Sequence, residues 1–411
     1  MGRVKYQIIY IIKERKMFDF EYYNPVKVLF GANKISEIGN ITANYGKRAL
    51  LVSYADVSFF EDLIADIHRK LATHGVACVD YFNITANPLL CQVRKGAEVC
   101  RKEKIDVVIG LGGGSVMDSA KVIAAGALYP HDMEKMFLFS HSHITQIPPT
   151  EALPTVMIPT LAGTGSEMNP TAVITDETSG KKSYVWEPSC LYPKVAILDP
   201  TLTVSLPPYQ TACGAFDIIA HVIEAYFNGD ESNGNDLALH DSMQLSVIRA
   251  VWETLPRVME DPDNLQARGV LMWAASIALN GWLTSGTFGF TPMHQMGHVL
   301  SAKYGATHGA TLCCMMIAWL KYFDGREDGG RYRKFAKEFF GVSATEASAM
   351  FEKRMRECGV QTQIREFGVR DDEIEELADM VKSVSFGADG YLNAVPKISR
   401  DQIRDLYRLS L

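Results

Sequence analysis

One aspartate and four histidines carry the chemistry that can be read most directly from this sequence. In Ala215-Phe216-Asp217-Ile218-Ile219-Ala220-His221 a carboxylate and an imidazole stand four residues apart. On a helix that spacing puts both on one face, close enough to grip one ion. Met293-His294-Gln295-Met296-Gly297-His298 repeats the interval with two imidazoles, and His308 follows ten residues later. One carboxylate oxygen with two or three imidazole nitrogens is a borderline-hard donor set. It suits a divalent transition metal such as iron or zinc and suits calcium or magnesium poorly. A lone helical histidine is more often a satisfied core or surface residue than a ligand, and His240, which has no such partner, is read that way. The other four lie in mostly apolar, aromatic surroundings, where an unpaired polar group is costly. Spacing alone does not separate His294 from His298.

Two glycine-rich loops supply a second kind of chemistry. The apolar run at residues 105–111 is followed by Gly112-Gly113-Gly114-Ser115, which reads as a buried strand turning into a helix with Ser115 as its cap. Backbone N–H groups and the dipole at such a helix start favour a pyrophosphate, although the spacing is not the usual G-x-G-x-x-G fingerprint. A second loop, Pro159-Thr160-Leu161-Ala162-Gly163-Thr164-Gly165-Ser166-Glu167-Met168-Asn169, follows another strand pattern and offers hydroxyls at the same sheet edge. Two such loops favour a nucleotide over a merely tight turn.

The elements that must position these groups fall into two halves. Strand patterns at 26–30, 48–53, 76–82, 105–111, 156–158 and 195–198 alternate with helical patterns at 59–74 and 94–102, predicting a mostly parallel, doubly wound α/β sheet over residues 17–200. From residue 201 to 411 amphipathic helices take over, at 209–227, 236–255, 266–283, 292–304 and 311–323 and onward, predicting an all-α domain. The metal candidates fall in the helical half and the glycine loops in the α/β half, so a cleft between them would bring metal and nucleotide together.

Composition narrows the class. A chain of 411 residues with 47% apolar and 22% charged residues is long enough for two domains and ordinary for a globular protein. A net charge of −7 leaves no footprint for nucleic acid and no polybasic patch for a membrane surface. Eight cysteines without a C-x-x-C pair read as reduced thiols of a cytoplasmic protein. Residues 6–12 are apolar but far shorter than a membrane span, and Lys13-Glu14-Arg15-Lys16 follows. Residues 1–16 therefore read as an extension ahead of Met17.

Taken together, Gly112-Gly113-Gly114-Ser115-x-Met117-Asp118-x-Ala120-Lys121, Thr164-Gly165-Ser166-Glu167, Leu198-Asp199-Pro200, Asp217-x3-His221 and His294-x3-His298-x9-His308 resemble the iron-containing (group III) alcohol dehydrogenases, in order and over nearly the whole chain. Within that family the wording is similar to the butanol dehydrogenase and NADPH-dependent aldehyde reductase branch. The resemblance implies that Asp217, His221, His294 and His308 are the metal ligands, with Fe2+ expected and Zn2+ as the alternative. It leaves His298 unligated beside nicotinamide and substrate, as a proton-relay or positioning group. It implies that Gly113, Gly114, Ser115 and Asp118 hold the pyrophosphate and its ribose, and that Thr160, Thr164, Asn169 and Lys182 surround the rest of the coenzyme. The implied reaction is hydride transfer between NAD(P)(H) and a small alcohol or aldehyde, in a homodimer. NAD-preferring relatives place an aspartate where this chain has Ala55; Ala55 with Ser58 leans to NADP(H), and Asp56 pulls the other way. The alternative is a metal- and NAD-dependent lyase resembling dehydroquinate synthase, which would need basic residues for a phosphate-bearing substrate where this chain has Trp282, Phe288, Phe290 and Met293.

Overall fold

The computed structural model describes residues 19–137, 146–229, 231 and 236–411. The expected extension at residues 1–16, and the expected start at Met17, lie outside these.

Eight strands occur among the described residues: β1 (Lys27–Phe30), β2 (Arg48–Tyr54), β3 (Ala77–Ile84), β4 (Val107–Gly112), β5 (Thr155–Pro159), β6 (Thr171–Asp176), β7 (Lys181–Trp186) and β8 (Val195–Leu198). Six of them form one sheet in the order β1-β8-β5-β4-β2-β3, with every neighbouring pair parallel. The central strands β4, β5 and β8 are buried at every residue, as a parallel sheet covered on both faces requires. One face packs against α1 (Ile38–Ala43) and α2 (Glu61–Thr73), the other against α3 (Leu90–Glu103) and α4 (Gly114–Gly126). The chain leaves β2 for α2 on the first face and leaves β4 for α4 on the second. Between the carboxyl ends of these two adjacent strands a crevice opens, the place where doubly wound sheets bind ligands.

The sequence patterns did not predict β6 and β7, an antiparallel hairpin closed by a turn in which Asp176 accepts from the N–H groups of Thr178 and Ser179. The hairpin leans on α4, where the N–H of Val173 donates to Asp118 (2.9 Å).

The C-terminal part is largely helical: α5 (Pro208–Phe227), α6 (Ala238–Glu260), α7 (Leu265–Leu279), α8 (Pro292–Tyr304), α9 (His308–Phe323), α10 (Gly330–Phe340), α11 (Ala344–Glu357), α12 (Ile374–Ser385) and α13 (Arg400–Leu409). At its centre stands α5, buried at every residue from Thr211 to Phe227 and wrapped by one continuous apolar core. Each fully buried Phe, Ile or Met there contributes roughly 1.5–3 kcal/mol.

Several helix boundaries differ from the sequence expectation, and three of them shape the helical part. Helix α6 runs on through Pro256 instead of stopping before it. The carbonyl of Trp252 that the proline leaves without its helical donor accepts from the Arg354 guanidinium instead (3.0 Å). Helix α7 stops at Leu279 instead of reaching Leu283, because Gly281 turns left-handed (φ 87°) and Asn280 Oδ1 accepts from the N–H of Trp282. Helix α9 begins at His308, three residues earlier than expected, so His308 opens the helix instead of lying in a loop. Among the described residues no helix is long and apolar enough to cross a membrane. All eight cysteines are free.

Candidate metal and coenzyme site

Helix α5 carries Asp217, His221 and Glu224, and Asn228 caps its C-terminus, at intervals of four, three and four residues, a single stripe along one face. Opposite it, α8 presents His294 and α9 presents His308 from its first residue. Close backbone approach makes this convergence possible. A Cβ on Gly309 would fall 2.2 Å from the carbonyl oxygen of Cys213, and one on Gly214 would fall 2.1 Å from that of Ala162. Only glycine lets α9 and the second glycine loop lie this near α5.

The result is a ring of donors around one carboxylate oxygen. Asp217 Oδ1 lies 3.5 Å from His221 Nδ1, 3.4 Å from His294 Nε2 and 3.7 Å from His308 Nε2. Ligands about 2.0–2.1 Å from one tetrahedral ion stand roughly 3.3 Å apart, so these separations fit a shared metal. Asp217 Oδ1, His221 Nδ1 and His294 Nε2 are all buried and without a hydrogen-bond partner, an arrangement that would be costly unless something binds them. The donor set of one carboxylate and three imidazoles fits Fe2+ or Zn2+. The side chains of Asp217, His221 and His294 are 5–7% exposed whereas that of His308 is 24% exposed, so the centre opens on the His308 side. His298 lies one turn beyond His294, with its ring centroid 5.2 Å from that of His308 and 6.3 Å from that of His294. It flanks the open side and stands outside the ring of contacts to Asp217. His240 sits apart, bonded to the carbonyl of Ser285 (2.8 Å).

Glu224 is the functional residue the sequence reading missed. It is 1% exposed and its carboxylate accepts from the ring Nδ1–H of His294 and from the backbone N–H groups of Met293 and His294. That bond fixes the tautomer of His294 and leaves Nε2 free to face Asp217. Asn228, next on the stripe, donates to the carbonyls of Glu224 (2.8 Å) and Phe290 (3.1 Å) and so ties the start of α8 to α5. The interval of three from His221 and seven from Asp217 was the available signal.

The charges sort accordingly. Burial works to raise the Asp217 carboxyl, but His221, His308 and His294 outweigh it and hold the group well below the usual carboxylate range. Burial lowers His221 and His308 to about 3 against the pull of Asp217. Burial also opposes protonation of His294, yet Glu224 and Asp217 raise it to about 9. Burial, then the Lys182 ammonium and the other imidazoles, pushes His298 well below its ordinary value.

The coenzyme crevice is built from the ends of β2 and β4. Gly113, not Ser115, is the N-cap of α4, a correction to the sequence reading. The helix starts at Gly114, so the N–H groups of both Gly114 and Ser115 fall in its open first turn and are available to a phosphate. Tyr54 at the end of β2 accepts from the N–H of Gly113 (3.0 Å), and the carbonyl of Gly112 accepts from the N–H of Thr160 (3.0 Å). Side chains on these glycines would collide with Val116, Tyr54 and Thr164 respectively. Asp118 faces inward, accepting from Ser166 (2.6 Å) and Val173. Asn169 is committed at both ends, donating to the carbonyl of Gly165 and accepting from Lys121 and from the N–H of Thr171. Glu167 accepts from Ser276 of α7 (2.6 Å), so the second loop joins the sheet to the helical part. Lys182 on β7 donates to Asn87 (3.0 Å). Burial lowers its ammonium to about 8 against the attraction of Asp118 on the coenzyme side and Asp217 on the metal side.

Of the aromatic group expected near the metal, Phe288 and Phe290 stack together just ahead of α8, while Trp282 packs edge-on against Tyr22 and Met293 is wholly buried in the core.

Comparison with known proteins agrees with this architecture. Residues 25–200 match the family model for iron-containing alcohol dehydrogenase, and residues 211–411 match the C-terminal model of the Fe-containing alcohol dehydrogenase family. The chain is 32% identical over 403 residues to NADH-dependent butanol dehydrogenase A of Clostridium acetobutylicum, covering 96% of this chain and 100% of that one. It is 28% identical over 372 residues to NADPH-dependent aldehyde reductase YqhD of Escherichia coli K12, covering 88% and 92%. The crystal structure of NADH-dependent butanol dehydrogenase A from Thermotoga maritima superimposes with a TM-score of 0.87 at 33% identity, covering 95% of this chain and 98% of that one. The lyase alternative finds no support in these relatives. Two family models that together span nearly the whole described chain identify it as a member of the iron-containing alcohol dehydrogenase family, consistent with a fold that gathers candidate metal donors beside a candidate phosphate-binding turn.

Proposed function

We propose that Asp217, His221, His294 and His308 bind one Fe2+, with Zn2+ as the alternative, and that the enzyme moves hydride between a small, weakly polar primary alcohol or aldehyde and a nicotinamide coenzyme. The observation that carries this reading is the convergence of three buried, partnerless donor atoms, Asp217 Oδ1, His221 Nδ1 and His294 Nε2. When bound, the metal supplies Lewis acidity to the substrate oxygen, and the nicotinamide supplies the hydride or accepts it.

The chain's own residues do the rest. The N–H groups of Gly114 and Ser115 bind the pyrophosphate at the α4 start, Gly112 and Gly113 keep the turn low enough for its approach, and Asp118 and Lys182 orient the coenzyme beside the cleft. Thr160 and Thr164 line the same loop edge, and Asn169 braces it. His298, neutral in this environment and flanking the open side of the centre, positions the substrate and carries a proton between it and solvent. The free cysteines suit a reducing compartment and a cytoplasmic enzyme.

Coenzyme choice turns on the bend after β2. Ala55 presents no carboxylate to a 2′-phosphate, and the Asp56 carboxylate is turned back onto the N–H of Ser58 (3.0 Å), which favours NADP(H). The test is loss of reduced-nicotinamide absorbance with butanal, using protein prepared anaerobically with Fe2+ and each coenzyme in turn. Turnover abolished by a chelator is expected, with NADPH ahead of NADH and the order reversed by Ala55→Asp. No turnover across aldehydes and alcohols despite bound metal and coenzyme overturns the reading; an unchanged coenzyme ratio in Ala55→Asp overturns the role of that position.

A further inference from the structure

Among the described residues, two groups of three or more His, Cys, Asp or Glu side chains bring one donor atom each to within 4.8 Å of one another. One contains Asp217, His221 and His294. The other, His68, Cys78 and Asp80, lies at the far edge of the sheet and has no part in the chemistry above.

Its construction is simple. Cys78 and Asp80 are two apart on β3, so both side chains leave the same face of the strand, opposite Ala49 and Leu51 of β2. His68 comes down from α2, which packs on that face, and its Nε2 lies 2.8 Å from Asp80 Oδ1. Because β3 is the outermost strand, the cluster is open to water: the His68 and Asp80 side chains are 34% and 40% exposed, and Cys78 sits at the margin of the core. An imidazole nitrogen, a thiol sulfur and a carboxylate oxygen together make a soft-to-borderline set that selects Zn2+ and its neighbours over Mg2+ or Ca2+.

We propose that His68, Cys78 and Asp80 form a second metal site, taking one Zn2+-like ion with water in the fourth position and pinning α2 to β3. The same three residue types could suggest a nucleophilic cysteine. Burial, aided by Asp80, pushes the free thiol up to about 12, which leaves almost no thiolate to act as one, whereas a bound ion itself displaces the thiol proton. The site would staple the β2–α2–β3 unit, whose first bend holds Ala55, Asp56 and Ser58.

Cobalt distinguishes this site from the other, because the cluster around Asp217 contains no sulfur. Titrating metal-free protein with Co2+ should saturate at two equivalents and develop near-ultraviolet thiolate-to-cobalt absorption. Cys78→Ser should saturate at one equivalent, lose that absorption and keep the parent's alcohol oxidation when loaded. His68→Gln, which leaves the thiol in place, should also lose the second equivalent. Saturation of the parent at one equivalent, absence of thiolate absorption, or its survival in Cys78→Ser would each overturn the proposal.

Discussion

Replacing Glu224 by Gln tests whether the orientation of His294 is set from α5. The carboxylate accepts three hydrogen bonds: one oxygen takes the backbone N–H groups of Met293 and His294, and the other takes Nδ1–H of His294. A glutamine keeps the shape, and its carbonyl can keep the two backbone donors. Its amide N–H2 then faces Nδ1, which must turn acceptor and send the ring proton to Nε2, toward Asp217. Metal binding would have to reverse that tautomer and leave two donors facing each other in a buried place, at roughly 1–3 kcal/mol. That corresponds to roughly 5- to 150-fold weaker metal binding, in line with the 10–100-fold typical of lost outer-shell partners. Apo-protein stability should fall as well, because the proton that His294 holds at neutral pH loses its carboxylate partner, although the shape and two of the three bonds persist. Glu224→Ala also strips the acceptor from two buried backbone donors and should lower both stability and affinity further. The assay is competition for Zn2+ or Co2+ against a chromophoric chelator, with the thermal midpoint of each apo-protein measured alongside. Affinity of Glu224→Gln within twofold of the parent would refute the reasoning.

Three further outcomes follow from the same geometry. His308→Ala should lose most bound metal while His298→Ala keeps it and turns over more slowly; metal analysis of the two variants showing the reverse would reassign the ligands. Metal uptake should depend on pH through His294, whose raised value of about 9 means that the apo-protein carries a proton there at neutral pH which the metal displaces, whereas His221 and His308, at about 3, carry none. Apparent affinity should therefore rise about tenfold per pH unit below that value and level off above it, with close to one proton released per ion at pH 7 by calorimetry in buffers of different ionisation enthalpy. Gly309→Ala would drive a methyl into the Cys213 carbonyl, displacing α9 from α5. A loss of roughly 1–3 kcal/mol, read by denaturant unfolding, should accompany weaker metal binding.

Much of the site was legible in the sequence because its chemistry follows helical pitch. The pairs Asp217/His221 and His294/His298 announce themselves by spacing, and the glycine run after a buried strand announces a phosphate-binding turn. What spacing could not decide was which of His294 and His298 turns toward α5, because both occupy one face of α8 and only the packing of α8 on α5 and α9 separates them. Glu224 was legible in principle from its interval after His221, but its role depends on α8 bringing His294 against it, which no spacing shows. The β6–β7 hairpin escaped because its strands are short and β7 opens on two lysines, and what holds them is contact with α4 and α8. The course of α6 through Pro256 could not be foreseen, since the guanidinium that takes the abandoned carbonyl lies 102 residues away at Arg354.

The stripe Asp217, His221, Glu224 and Asn228 covers 11 residue steps, from α5 to its C-cap, about 16 Å of helix. The proposed metal donor pair, the carboxylate that orients a third proposed donor and the amide that ties down the neighbouring helix are thus all measured along a single ruler. Side chains on the other faces of α5 can be exchanged for others of like volume without disturbing that ruler. A single inserted or deleted residue anywhere within it would instead rotate everything beyond the change by about 100°, parting Asp217 from Asn228 and, for any change before Glu224, from the acceptor of His294. Length variation in this enzyme therefore belongs to the loops between helices, and the residue count of α5 is the dimension on which the centre depends.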